Sequence, residues 1–231
     1  MKIMKFTSFF GMYVAFSLAF LVQSCTKEPI APTQHEVYHI SDNFKSYTAF
    51  GKGSYWVYQR LSPLPTVLDT IRVDGTIFEN RIHTIGNSQY YYDAIELALS
   101  SKVIGLKKGE ITAGPSTTTG LKSETYRIYF TDGSYLSVLI PHYPIDSLVH
   151  LGQVEGDYIN RAFYTQLEVN QALYSDVYET RITIDPTSEQ STEHNYLFAK
   201  NYGCVKFSSQ VAGQNTKEEW VLKSSALLPL E

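Results

Sequence analysis

The sequence predicts an all-β protein: an antiparallel curled sheet, sandwich or open barrel that follows an N-terminal signal segment and a tether. Three observations predict it. Short runs alternate apolar and polar residues with a period of two, as in Tyr126, Ile128 and Phe130 against Arg127, Tyr129 and Thr131, which puts one set on a core face and the other toward solvent. Turn-forming stretches separate these runs, roughly 8 to 15 residues apart. The chain is also rich in aromatic β-formers, with 18 Tyr and 12 Phe in 231 residues, and it lacks the helical segments that a parallel sheet needs as crossovers.

The first element is a targeting segment. Lys2 and Lys5 form a basic start, no acid precedes Glu28, and an apolar run follows over residues 9–22, the order of a secretory signal. A transmembrane anchor needs about 20 apolar residues, and this run is shorter and bounded or interrupted by Ser8, Gly11 and Ser17. It ends in Leu21-Val22-Gln23-Ser24-Cys25, which resembles a bacterial lipobox. The resemblance implies that residues 1–24 are a lipoprotein signal peptide, and that Cys25 becomes the first mature residue and carries acyl chains such as palmitate on its thiol and amino group. The protein is then expected to be exported and lipid-anchored to the outer membrane, on its periplasmic side or at the cell surface. Residues 25–36, with Pro29 and Pro32, read as an extended tether, and residues 37–231 as a single β-domain.

Removing residues 1–24 takes away Lys2 and Lys5 and no acid, so the formal charge moves from −4 to −6. A mildly acidic chain without a basic patch is not expected to bind nucleic acid, and its attachment to a membrane must come from acyl chains. With Cys25 acylated, Cys204 is left alone, which excludes an intrachain disulfide.

Along the domain, Ser41-Asp42-Asn43 before Phe44 forms the start signal of a helical turn. Residues 55–58 alternate as a strand, ended by residues 61–65, and Ile71 and Val73 lead to Asp74-Gly75 and then residues 76–78, a hairpin signal. From Tyr90-Tyr91-Tyr92 onward the run through Ile95, Leu97 and Leu99 reads as strand. Ala94, Leu97, Ala98 and Ser101 would also fit a helix, but the tyrosines before and Val103-Ile104 after favour the strand. Residues 114–120, with Pro115 and four consecutive Ser/Thr, form a loop. Residues 126–140 are the clearest hairpin, turning at Asp132-Gly133, and are expected at the centre of the sheet. Further strands are predicted at residues 163–169, 177–184 and 196–200. The last two, at 205–207 and 220–222, are expected to close the sheet.

The C-terminal block, residues 196–207 (Tyr-Leu-Phe-Ala-Lys-Asn-Tyr-Gly-Cys-Val-Lys-Phe) followed by Trp220-Val221-Leu222, resembles the ending of uncharacterised exported lipoproteins of Bacteroidota, in which an aromatic-Ala-Lys segment leads to Gly-x-Val-Lys and then Trp-x-Leu. The likeness extends to Gly53-Ser54-Tyr55-Trp56-Val57-Tyr58 and to Asp176-Val177-Tyr178-Glu179. It implies an exported all-β domain, carries no activity, and places Cys204 where an apolar core residue is expected. Asp69-Thr70-Ile71 and Asp146-Ser147-Leu148 likewise resemble the Asp-(Ser/Thr)-apolar O-glycosylation site of Bacteroidota, which makes Thr70 and Ser147 candidate acceptors.

The residue patterns of catalysis are weak. Cys204 has no neighbouring base in sequence and reads as a small buried hydrophobe. Of the six histidines only His35 and His39 have helical spacing, and no His-Glu-x-x-His or paired-cysteine site occurs, so neither a metal nor a cofactor is expected. Glu218 and Glu219 stand next to Trp220 in what reads as an edge turn. Tyrosine abundance suits a sugar-stacking surface, but packing on a pleated sheet explains most of it. The expectation is a non-enzymatic envelope lipoprotein whose β-domain binds or carries a protein, glycan or hydrophobic ligand. The alternatives are a cell-surface hydrolase or a structural subunit of a surface assembly.

Overall fold

The computed structural model describes residues 37–85, 88–113, 124–139, 143–151 and 156–230, with the side chains of Ile85 and Ser88 excepted. The signal segment, the tether, Cys25, His35, the 114–120 loop and Ile140 lie outside the described residues.

In chain order the elements are β1 (Val37–Tyr38), α1 (Asp42–Thr48), β2 (Tyr55–Ser62), β3 (Val67–Ile85), β4 (Ser88–Ser100), β5 (Leu106–Thr112), β6 (Thr125–Phe130) and β7 (Tyr135–Val138). They continue with β8 (Leu148–His150), β9 (Asp157–Val169), β10 (Ala172–Ile184), β11 (Thr192–Ala199), β12 (Gly203–Val211) and β13 (Lys217–Ala226). Among the described residues these strands make a single sheet in the order β7-β6-β5-β4-β3-β2-β13-β12-β11-β10-β9-β8, with β1 added in parallel beside β4. All other pairings are antiparallel, so the predicted all-β class holds in its curled-sheet form.

The order reverses two expectations. The 126–140 hairpin forms with the predicted faces, Tyr126 opposite Val138 and Ile128 opposite Leu136, but it lies at one end of the sheet. The final strand, β13, lies at its centre between β12 and β2. Hairpin strength is a local property, whereas centrality depends on which distant strand the chain returns to, and β13 returns to β2.

Asp74-Gly75 is the third correction. It is a bulge inside one 19-residue strand, at the register shift between Val73 and Gly75 opposite Leu99 and Ala98. Residues on both sides of the bulge pair with the same strand β4, so the backbone groups that a turn would free are already satisfied there. Further shifts occur at Leu106/Lys108, Glu179/Thr180, Leu197/Phe198, Glu219/Trp220 and Leu222/Ser224, and bulges of this kind bend the strands that carry them.

The curl brings both wings onto one core. Tyr58 on β2, Tyr126 and Ile128 on β6 and Phe198 on β11 line one interior cavity, and Trp220, Phe198, Ile111, Val138 and Tyr158, drawn from five strands, are almost wholly buried. Gly109 on β5 makes room for Tyr126, whose ring atoms would lie 2.9 Å from any Cβ built there. Helix α1 plugs one end. Ser41 caps it by accepting from the Phe44 N–H at 3.2 Å, and Phe44, Tyr47 and Phe50 reach into the core. At the other end Asp69 organises the β4–β5 turn: its carboxylate accepts the N–H groups of Lys102, Val103 and Ile104 at 3.1, 3.0 and 2.8 Å. Burial raises the Asp69 carboxyl, but these bonds outweigh it and hold the group below the usual range.

Because β13 is central and Trp220, Val221 and Leu222 are all buried, each contributes about 1.5–3 kcal/mol of apolar burial, a large share of a typical net stability of ~5–15 kcal/mol. Ending the chain at Lys217 is expected to abolish the cooperative urea transition of the domain. A truncated chain that still unfolds cooperatively with β-type circular dichroism would contradict the observed strand order.

Candidate functional site

The strands alternate in direction, so the curl has two distinct ends. One carries α1, the β11–β12 turn and the C-terminus: Gly51 donates to the carbonyl of Leu228 at 2.8 Å and Asn201 to that of Ser46 at 2.7 Å. The opposite end carries the β6–β7 turn, the end of β10 and the start of β11. A groove of about 390 Å³ opens there, within the range of roughly 300–1,000 Å³ common for small-ligand sites. The interior cavity near Tyr58 and Cys204 measures only about 60 Å³.

The turn that forms one wall is built locally. Asp132 Oδ1 accepts from the Ser134 N–H at 2.9 Å and the Ser134 hydroxyl at 2.7 Å, Gly133 takes φ +91°, and the Thr131 N–H donates to the Gly105 carbonyl at 2.7 Å. This is an Asx-type turn, in which the Asp side chain replaces a backbone acceptor. Its rings and aliphatics, Phe130, Tyr135 and Leu136, face Ile184, Thr192 and His194 on the other wing. His194 lies alongside Tyr196, ring centres 6.4 Å apart and planes 19° from parallel, and burial holds its imidazole down to about 4. At neutral pH the groove therefore offers two aromatic rings, one of them phenolic, a neutral imidazole, two aliphatic hydroxyls and one carboxylate already bonded to Ser134.

The sequence-derived candidates lie elsewhere. Cys204 is half-buried beside the interior cavity, its thiol donating to the Lys206 carbonyl at 3.3 Å. Burial pushes that thiol up to about 12, which leaves almost no thiolate at neutral pH. Thr70 is half-buried near the start of β3, opposite Val57, beside the buried Asp69. Ser147 is likewise half-buried and occupies a tight turn in which its N–H donates to the Pro144 carbonyl at 3.2 Å and Asp146 takes φ +60°. His39 pairs with Asp93 at 3.0 Å and His150 with Asp157 at 2.7 Å, both at exposed positions. Glu218 and Glu219 do not form an edge turn. They belong to central β13, where Glu218 accepts from the Trp220 indole at 2.9 Å and Glu219 pairs with Lys206 at 3.2 Å and Lys217 at 3.6 Å. Among the described residues, no three His, Cys, Asp or Glu side chains converge as metal ligands.

The groove itself was not legible. Its two walls are some 60 residues apart in the chain, and only the curl brings them together.

No family model matches the chain, and no curated protein does. Among solved structures, a candidate exported protein with a YmcC-like fold from Bacteroides fragilis is 8% identical, with TM-score 0.37, covering 78% of this chain and 98% of its own. A candidate lipoprotein from Parabacteroides distasonis is likewise 8% identical, with TM-score 0.35 and the same coverages. Likeness at that level carries no statement about function.

Two expectations follow from the geometry. Maleimide at neutral pH should leave Cys204 unlabelled in the folded domain and label it fully in urea, as judged by intact mass, whereas rapid native labelling would revive a nucleophilic role. For His194, the folded value lies below the unfolded one, so the unfolded chain binds more protons between about 6.5 and about 4. Its contribution to stability is complete above that window and lost as pH falls through it, up to about 3 kcal/mol at ~1.4 kcal/mol per unit. The urea midpoint should fall between pH 6.5 and pH 4, and His194→Phe should flatten that fall. Identical slopes in the two proteins would show that another group is responsible.

Proposed function

We propose that this chain is a lipid-anchored envelope protein whose β-domain is a non-enzymatic binding module, with the groove between the β6–β7 turn and the ends of β10 and β11 as its ligand site. The observation that carries the reading is the contrast between two spaces. The interior cavity of about 60 Å³ is too small for an acyl chain, while the open groove of about 390 Å³ is large enough for one or two sugar rings or a few residues of neutral peptide.

The groove's chemistry favours a neutral, partly apolar ligand. Phe130 and Tyr135 supply ring faces, and Ser134, Thr192 and His194 supply hydrogen-bonding groups without net charge; aromatic faces beside hydroxyls suit the mixed polarity of a saccharide. A hydrolase would need a second acid or base within reach of the reacting atom. Among the described residues, the only carboxylate lining this groove is Asp132, whose Oδ1 is held by Ser134. Anchoring rests on the order of basic start, apolar run and Ser24-Cys25 in the sequence, which directs acylation of Cys25, at the outer membrane in this reading.

Both halves are tested on one preparation. Wild-type protein should partition into detergent and carry acyl mass at Cys25, and Cys25→Ser should move to the soluble exported fraction. The soluble variant, titrated with a panel of neutral oligosaccharides and neutral peptides, should show amide NMR shifts confined to residues 130–136, 184 and 192–194. Tyr135→Ala should weaken that binding about tenfold, in line with loss of one aromatic anchor. Shifts elsewhere or none from any member of the panel would overturn the groove assignment, and an unacylated wild type would overturn the anchor.

A further inference from the structure

The strands at the two ends of the sheet are short, four residues in β7 and three in β8. A longer open edge lies inside the sheet, on β3. β2 pairs with β3 only from Val67 to Arg72, and Gly53 and Ser54 extend that contact to Val73. From Gly75 to Ile85 the strand pairs with β4 on one side and, among the described residues, with no strand on the other. Long edges are commonly blunted by Lys or Pro. Residues 75–85 contain neither, and Ile77, Phe78 and Ile82 are exposed.

The neighbouring ladder fixes which backbone groups face that edge. The Asp93 carbonyl accepts the Ala113 N–H at 3.0 Å, so Asp93 turns its backbone away from β3. Asn80 stands opposite Asp93, and in an antiparallel pair both members of such a position bond outward. Thr76, Phe78, Asn80, Ile82 and Thr84 therefore present their N–H and C=O groups to the open edge. Their side chains share the concave face with Ile95, opposite Phe78, whereas Ile77, Glu79, Arg81 and His83 share the convex face with Glu96, opposite Ile77. About Asn80 the edge is complementary to its own reverse: Glu79 matches Arg81, Phe78 matches Ile82, Ile77 matches His83 and Thr76 matches Thr84. Arg81 already holds Glu79 of its own strand at 2.7 Å, so an antiparallel copy would complete a square of alternating charge. The nearest other registers that keep the bonding phase are two residues away. They set Glu79 against Glu79 or Arg81 against Arg81, and like charges directly opposite are destabilising.

We propose that β3 pairs antiparallel with β3 of a second copy about a two-fold axis at Asn80, joining two curled sheets into one. Phe78 and Ile82 of each copy then lie against Ile82 and Phe78 of the other on the concave face, and Glu79 and Arg81 alternate around the axis on the convex one. Such an interface is isologous and closes at the dimer. It depends neither on the groove nor on the lipid anchor, and the mature Cys25→Ser chain tests it without lipid. Sedimentation velocity should show a monomer–dimer equilibrium across the micromolar range. Asn80→Pro removes an N–H that β4 does not use, and it should abolish the dimer while the domain keeps its cooperative urea transition. Glu79→Arg and Arg81→Glu should each weaken self-association about tenfold or more, because both crossed pairs turn from attraction to repulsion. An equimolar mixture of those two variants should recover dimer, since opposite charges face each other again in the mixed pair, and a folding defect in either chain could not produce that recovery. Asn80→Cys should cross-link to itself under mild oxidation, its Cα atoms about 5.5 Å apart across the axis. A monomer at every concentration would overturn the proposal. So would a dimer that survives Asn80→Pro, or charge variants that mixing does not restore.

Discussion

Two hydrogen bonds across the interior hold the curl. The Trp56 indole donates to the Tyr202 carbonyl at 2.7 Å and the Tyr58 hydroxyl to the Cys204 carbonyl at 2.6 Å. Trp56 and Tyr58 stand on β2 and the acceptors at the start of β12, with β13 between the two strands, so the side chains span the concave face of a three-strand segment. Buried polar groups that lose such a partner cost about 1–3 kcal/mol each. Alternate bend angles of the sheet are therefore disfavoured: flattening it would leave two carbonyls and two large donors unsatisfied together. Gly203 is part of the same device. It takes φ +75°, and a Cβ there would meet the Phe50 ring at 3.2 Å and Trp56 at 3.7 Å, so the close approach of the turn to the aromatic cluster requires glycine.

That contact also explains why two short stretches distant in sequence were read together. Residues 53–58 and the 196–207 block are two of the stretches whose sequence resembles that of exported lipoproteins, and the structure joins them through Trp56, Tyr58, Tyr202 and Gly203, with Phe50 and Trp56 edge to face at 5.2 Å and 83°. The motif is thus accounted for by architecture alone. It describes how the sheet is bent and sealed by α1, and no ligand chemistry need be attached to it.

Local patterns were legible wherever the deciding physics was local. The cap at Ser41, the strand at residues 55–58, which the fold extends to Ser62, and the pairing of Tyr126 with Val138 all follow from side-chain period and turn chemistry within a dozen residues. What failed was nonlocal. Asp74-Gly75 has the composition of a turn, yet the competing bonds come from β4, some 25 residues on. Residues 157–162 were missed as strand because Asn160 and Arg161 interrupt the apolar period, whereas in the fold Asn160 is wholly buried and is satisfied by the Tyr158 hydroxyl at 2.6 Å and the Tyr143 carbonyl at 2.9 Å. A buried amide whose nitrogen is bonded to a backbone carbonyl 17 residues away has no signature in a short window of sequence. The groove was hidden for the same reason, since neither wall is a site without the other.

The alternation of strands gives the domain a direction, and the direction constrains function. Helix α1 and the C-terminal Leu228 contacts with Gly51 and Ser54 lie at one end. The Asp69-bound turn, the β6–β7 turn and His194 lie at the other. The α1 end is plugged by Phe44, Tyr47 and Phe50, and the groove of about 390 Å³ opens at the far end. In the proposed reading its ligand is neutral and partly apolar, because the lining presents ring faces and uncharged hydrogen-bonding groups, whereas the interior cavity of about 60 Å³ is too small for an acyl chain.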